Sequence, residues 1–317
     1  MLNLSMRHLR YFDALARHGH FGRAAEDCAI SQPALSMQIK ELEDILGAPL
    51  VERGGRTIRL TALGEDFAAR THDILRAVDD LTDLVRARTG PLLGRLRIGV
   101  IPTIAPYLLP GLITALAQRF PGLDLRPREA ITSRLIEDLH EGRLDTAIVA
   151  LPVSEPGLTE TPLFEEDFVL LRPEAEANFP IPSAEGLREM RLLLLEEGHC
   201  FRDQALAFCA PATPRDMMEG SSLSTLVQMV GAGLGVTLLP EMALPVETRS
   251  ARVAVQRLRP PRPARSIGMV WRRANPLAET LRSIATLVRD TALAAPPNIP
   301  TATDHVAGGP DLSAHSA

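Results

Sequence analysis

The sequence predicts a multidomain α/β protein: a small all-α N-terminal head closed by a β-wing, a long linker helix, and a larger module of two α/β lobes. Three observations predict it. Apolar residues follow helical spacing as far as residue 88. A Gly/Pro-containing stretch at 89–94 then breaks the pattern. Beyond it, strand-like runs alternate with helical ones, a β-α-β repetition that implies a parallel sheet covered by helices. A chain of 317 residues is too long for one ordinary core and has apolar content for two or three.

In the head, Leu9, Phe12, Leu15 and Ala16 make one face of a first helix, which Gly19 ends. A second helix is expected over 22–28. Ser31 caps a third, Gln32–Leu46, which stops at Gly47; Pro33 sits in its first turn, where a missing N–H does little harm. Two extended arms around Gly54 and Gly55, within the basic run 53–60, read as a wing. Thr61 opens a helix free of proline to Arg88, along which Phe67, Ile74, Val78, Leu81 and Val85 recur at coiled-coil-like intervals. At about 1.5 Å per residue this helix is about 40 Å long and cannot bury that seam alone, so pairing with a second copy is expected.

In the module, strands are expected at 96–101, 123–129 and 146–150, with helices at 107–120 and 131–141 between them. A second set of strands follows at 168–171, 192–195, 235–239 and 267–271, before a closing helix at 276–290. The expected domains are thus 1–60, 61–89 and 90–294. The tail, 295–317, is rich in Pro, Ala, Gly and Ser and lacks apolar periodicity, the composition of a disordered segment.

Composition narrows the function. No stretch approaches the roughly 20 apolar residues of a membrane span, and MLNLSMRHLR has no secretory apolar core, so a cytoplasmic protein with no membrane partner is expected. The net charge of -5 requires any nucleic-acid contact to come from a local patch. Three cysteines cannot form a structural disulfide framework, so each is judged by its neighbours. Cys28 reads as a small buried hydrophobe. The eight histidines show no paired metal-ligand spacing, and the 231–235 GAGLG run lacks the full dinucleotide-binding spacing, so neither metal nor cofactor is expected.

On the third helix, Gln32, Ser36 and Lys40 share a polar stripe while Leu35, Ile39, Leu42 and Leu46 face the other way. Spacing alone fits either an ordinary amphipathic helix or one laid in a DNA major groove. The segment HFGRAAEDCAISQPALSMQIKELEDILGAPLVERGGRTIRLTALG, residues 20–64, closely resembles the winged helix-turn-helix of LysR-type transcriptional regulators, through its Ala-Ala pair, SQPALS, Leu-Glu before Leu-Gly, wing arginine and closing Leu-Thr-x-x-Gly. The resemblance implies an all-α winged helix-turn-helix head and linker helix followed by a two-lobed α/β module like a periplasmic binding protein. It further implies operator DNA as partner, with Ser31, Gln32, Pro33 and Ser36 at the bases and Lys40, Arg53 and Arg56 on phosphates. A dimer, a tetramer and contact with RNA polymerase are implied in the same way.

Cys200 follows a strand and Gly198, at the start of an expected helix, beside His199, Arg202 and Asp203. A helix N-terminus and positive neighbours favour the thiolate that attacks oxidants. From the residues alone, Cys200 and Cys209 are either a reactive pair or two inert core thiols. GHCFRDQALAFC (198–209), IPTIAPYLLP (101–110), REAITS (128–133) and RSIGMVWR (265–272) are similar to the peroxide-responsive OxyR branch of the LysR family. That similarity implies a regulator of the oxidative stress response, an activator rather than an enzyme, that senses hydrogen peroxide. It implies Cys200 as the peroxidatic and Cys209 as the resolving thiol, joined by a reversible disulfide, with Thr103, Thr132, His199, Arg265 and Asp203 around the peroxide. Two rival readings are a LysR-type regulator that takes a small organic effector between its lobes, with Thr103 and Thr132 as its donors, and a thiol peroxidase, which has no use for a winged head.

Overall fold

The computed structural model describes residues 4–52, 58–88, 94–209 and 216–294. The chain forms two compact units, Met1–Gly90 and Pro91–Ala317.

The first unit runs α1 (Met6–His18), α2 (Phe21–Asp27), α3 (Gln32–Leu46), β1 (Val51–Glu52), β2 (Arg59–Leu60) and α4 (Ala62–Arg88). Ser5 opens α1 with a capping box, and Gly19, at φ 56°, closes it in the left-handed conformation glycine tolerates. The second helix starts one residue earlier than expected because the His20 ring accepts from the N–H groups of Gly22 and Arg23; Cys28 is its C-cap. For α3 the expected bounds agree with the structure, from the Ser31 cap to Gly47 at φ 71°. Phe12, Leu15, Ala24, Ala25, Leu35, Ile39, Leu42 and Leu50 form the core. Ala14 is buried in it, whereas Ala16 is only half-buried.

The Leu42-Glu43 pair divides its labour. Leu42 enters the core, and the buried Glu43 carboxylate accepts from the N–H groups of Leu50 (2.8 Å) and Val51 (3.1 Å). A charge-assisted pair of this kind fixes where the wing leaves α3. The antiparallel β1 and β2 are shorter than the arms read from sequence, and residues 53–57, with Arg53 and Arg56, lie outside the described residues. Along α4, Phe67 packs edge-on against Phe12 at 5.4 Å, so it belongs to the head's core rather than to a seam. Ile74 and Leu81 are 45% and 62% exposed, and the side chain of Val85 lies outside the described residues.

The second unit begins with β3 (Arg95–Val100), α5 (Ala105–Arg119), β4 (Asp124–Glu129), α6 (Thr132–His140) and β5 (Thr146–Leu151). Next come β6 (Leu158–Pro173), α7 (Ala184–Arg188), β7 (Arg191–Leu195), α8 (Cys200–Cys209), β8 (Asp216–Gly220), α9 (Leu223–Gly231), β9 (Thr237–Pro240), α10 (Leu244–Glu247), β10 (Val253–Arg257), β11 (Ala264–Arg272) and α11 (Ala278–Leu293). One core packs β3, β5 and β11 with α5, α6 and α11; a second packs the end of β6 with β7, β9, α8 and α9.

The parallel sheet expected from β-α-β repetition is only partly present. β3 pairs in parallel with β4 and β5, and β7 with β8, but β6 runs antiparallel to β9, β10 and β11, and β11 antiparallel to β5. Parallel neighbours need a crossover helix, which α5 and α6 supply. β6 and β11 carry the chain out of the first lobe and back into it, so they run in opposite directions. Leu163 of β6 lies in the first core and Phe168 in the second, so the strand changes lobes across Glu165, Glu166 and Asp167. From sequence, only the second half of β6 is legible as a strand, and β8 and β10 are not expected.

Candidate functional site

Two threonines are delivered to one edge of the first lobe. Thr103 follows β3 and Thr132 opens α6 just after β4; β3 and β4 are parallel neighbours, so both threonines emerge at the carboxyl ends of adjacent strands, where open α/β sheets place their ligands. Thr103 is buried. The Thr132 hydroxyl oxygen is also buried and has no hydrogen-bond partner among the described residues. Such an orphan carries a desolvation cost that a polar occupant at this strand-end edge would offset.

The thiol comes from the second lobe. Gly198 stands at φ 95°, a conformation that favours glycine, and a Cβ built there would lie 3.2 Å from the Ile131 side chain. The turn carrying His199 and Cys200 therefore lies against the segment that carries Thr132. Cys200 is the first residue of α8, half-buried against the first lobe's core, while Phe201 beside it is buried in the second lobe's core. The start of α8 thus straddles both lobes. His199 is half-buried, and Asp203, in the first turn of α8, is exposed. Cys209 is the last residue of the same helix, and its side chain lies outside the described residues.

Arg265 lies on β11 opposite Glu166 on β6. Its side chain is fully buried: Nε donates to Glu166 Oε2 (2.7 Å), Nη1 to Thr103 Oγ1 (2.7 Å) and Nη2 to the Thr103 carbonyl (3.1 Å). The rings of Phe168 and Phe201, edge to face at 4.9 Å, lie 5.9 and 5.8 Å from the guanidinium carbon. Arg202, expected as a positive neighbour of the thiol, is turned away: it donates to the Leu195 carbonyl (2.9 Å) and pairs with Glu219 (2.6 Å). A carboxylate and a strand-end carbonyl together satisfy the guanidinium with charge-assisted hydrogen bonds.

Sequence reasoning missed Glu166, Phe168, Phe201 and Tyr107. The Glu165-Glu166-Asp167 run reads as a solvated acidic stretch, and the one available signal was that a buried Arg265 needs a counter-charge. Tyr107, on α5, packs against the second lobe's core and donates its hydroxyl proton to Glu247 (2.7 Å), tying the lobes together. Burial, then the Glu247 hydrogen bond, raise its pKa. A folded value above the unfolded one gives stability that is complete below about pH 10 and lost as pH rises. Tyr107→Phe is expected to cost about 1 kcal/mol at neutral pH and to lessen the alkaline loss of stability, read by denaturant melts across pH.

In the head, Ser31, Gln32, Pro33, Ser36 and Lys40 are all exposed along one side of α3, opposite the buried Leu35, Ile39 and Leu42. Met37, 64% exposed, lies among them. Cys28 is half-buried against the head's core, and burial, then the Asp27 charge, raise its pKa. Among the described residues no group of His, Cys, Asp or Glu side chains is placed to hold a metal, and no helix is long and apolar enough to cross a membrane.

The model of the bacterial regulatory helix-turn-helix protein, lysR family, matches residues 6–65, and that of the LysR substrate binding domain matches residues 89–293. The chain is 43% identical over 295 residues to a probable hydrogen peroxide-inducible genes activator of Streptomyces viridosporus, covering 90% of this chain and 94% of that one. Its fold is similar to a full-length OxyR variant from Pseudomonas aeruginosa, with 37% identity and a TM-score of 0.73 over 90% of this chain and 95% of that one. It is also similar to an H2O2-bound OxyR mutant from Corynebacterium glutamicum, with 33% identity and a TM-score of 0.63 over 92% and 93% of the two chains. With a helix-turn-helix head, a two-lobed α/β module and this likeness along nine-tenths of its length, the chain belongs to the OxyR branch of the LysR family of bacterial regulators.

Proposed function

We propose that the protein is a cytoplasmic transcription regulator that senses hydrogen peroxide at Cys200 and answers through a disulfide with Cys209. The observation that carries this reading is the orphaned Thr132 hydroxyl beside the turn that presents the thiol, with the Thr103–Arg265 pair on the adjoining strand end. The Cys200 thiolate attacks one peroxide oxygen, the O–O bond breaks, hydroxide leaves, and the sulfur becomes a sulfenic acid. Hydroxyls of Thr103 and Thr132 orient the two oxygens, and the charge of Arg265 offsets the developing negative charge. His199 is near enough in sequence to join them; Asp203, from its exposed position, serves local proton transfer. The Cys209 thiol then condenses with the sulfenic acid, releasing water and forming the S–S bond.

Nine helical residues separate the Cα atoms of Cys200 and Cys209 by about 13 Å, whereas a disulfide tolerates less than about 7 Å. Closing the bond must therefore unwind α8, which is how a small oxidant becomes a large structural change. The test is peptide mapping under non-reducing conditions before and after brief peroxide exposure. A peptide crosslinked between Cys200 and Cys209 is expected only after exposure, and its absence would refute the disulfide.

The reading extends to DNA. α3 enters the major groove with Gln32 and Ser36 toward base edges, Ser31 and Pro33 at its start, and Lys40, Arg53 and Arg56 on phosphates. Exposed Ile74 and Leu81 supply a seam for a second copy along α4, a dimer that doubles to a tetramer on spaced half-sites and works with RNA polymerase. Lys40→Ala is expected to weaken binding about equally to all sequences and to lower the slope of log K against log salt by about 1, measured by titration at several ionic strengths.

A further inference from the structure

We propose that Glu166 is a positioning residue for the reaction of Cys200 with peroxide, acting through Arg265 to make Thr103 a hydrogen-bond donor; the inference rests on the peroxide reading above. A threonine hydroxyl has one hydrogen to give and lone pairs to accept with, whereas a guanidinium can only donate. The 2.7 Å contact between Arg265 Nη1 and Thr103 Oγ1 therefore makes that oxygen the acceptor. Its own hydrogen must point elsewhere, and among the described residues no protein acceptor takes it. Thr103 is 3% exposed, so that hydrogen is held for whatever occupies the site rather than for bulk water.

What fixes the guanidinium is Glu166. One carboxylate oxygen accepts from Arg265 Nε (2.7 Å) and the other from the backbone N–H of Met242 (2.8 Å), in the short 3-10 turn Glu241–Ala243 of the second lobe. Both oxygens are engaged, and the rings of Phe168 and Phe201 stand 5.9 and 5.8 Å from the guanidinium carbon. The chain of donors runs from Arg265 to Thr103 to the ligand oxygen, and each bond polarises the next. Without the Glu166 charge, Arg265 has no fixed partner on its far side, and Thr103 can turn its hydrogen away from the site.

The test uses the full-length chain with Cys28 and Cys209 replaced by serine, so that Cys200 is the sole thiol among the three. Oxidation by hydrogen peroxide and alkylation by iodoacetamide are timed on the same protein by quenching and intact mass. Alkylation uses the same thiolate but needs no oxygen oriented. Glu166→Gln is expected to slow oxidation about tenfold or more and to leave alkylation within about twofold. Thr103→Val is expected to do the same, Thr103→Ser to restore the rate, and the double variant to oxidise no more slowly than Thr103→Val alone, because Glu166 acts only through Thr103.

Losses that multiply in the double variant, or a Glu166→Gln protein that oxidises at the parent rate, would overturn the inference. If Glu166→Gln melts below the assay temperature, the rates are compared at a lower temperature at which it stays folded, under the same criteria. Glu166→Asp, which keeps the charge, is expected to oxidise faster than Glu166→Gln, and equal slowing of the two would overturn the inference. A parent protein whose Cys200 reacts with peroxide no faster than free cysteine would overturn the peroxide reading itself. Fast parent oxidation with multiplying losses would leave that reading standing and remove only the role of Glu166.

Discussion

Replacing Cys200 by serine is expected to abolish the response to peroxide completely while leaving DNA binding intact. Serine keeps nearly the same shape at the start of α8, so the half-buried contacts with the first lobe survive. What disappears is the nucleophile, because a neutral hydroxyl does not displace hydroxide from an O–O bond as a thiolate does. No sulfenic acid forms, no disulfide closes and α8 has no reason to unwind. The measurement is the promoter footprint with and without peroxide: the parent shifts and Cys200→Ser does not. A shift that persists in the variant would place the sensor elsewhere and favour a regulator with a small organic effector.

Arg265→Met is expected to destabilise the effector module by about 3–5 kcal/mol, because it strands the Glu166 carboxylate in the interior without its partner. For a unit of about 200 residues, each kcal/mol moves the melting temperature by about 2–4 °C, so the shift is large and easily read by calorimetry. The same physics makes a second forecast. Removing both charges, in Glu166→Gln/Arg265→Met, is expected to recover most of the loss, since a buried ion pair adds little beyond its own desolvation. A single Arg265→Met variant that melts with the parent would mean that the pair is not sealed from water as its burial indicates.

Much of the head was legible because its rules are local. Caps, turns and an apolar stripe act within a few residues, so Ser31, Gln32–Leu46 and Gly47 could be read directly. The second helix missed by one residue because a histidine cap on its own N-terminus is an uncommon signal. Phe67 looked like part of a dimer seam because its spacing fits one; only the approach of α1 shows that Phe12 takes it. In the module, short strands with flanking turns were legible, but the direction of β6 and β11 was not. Direction depends on which strands become neighbours after the chain has crossed between lobes.

The candidate site divides along the same line. Cys200 is legible from its own neighbours at a helix start, whereas His199, Thr103, Thr132 and Arg265 are legible only through the resemblance of their segments to the OxyR branch. By itself the sequence determined the modular order, the third helix with its polar and apolar faces, and the spacing of two thiols along one helix, because these follow from backbone periodicity and nearest neighbours. Only the tertiary structure decided that Glu166 is interior, that Arg202 faces away from the thiol, that Phe201 backs the guanidinium and that Tyr107 ties lobe to lobe. Charges and rings find partners far away in sequence, and burial, which sets the strength of those contacts, exists only once the two lobes have closed around them.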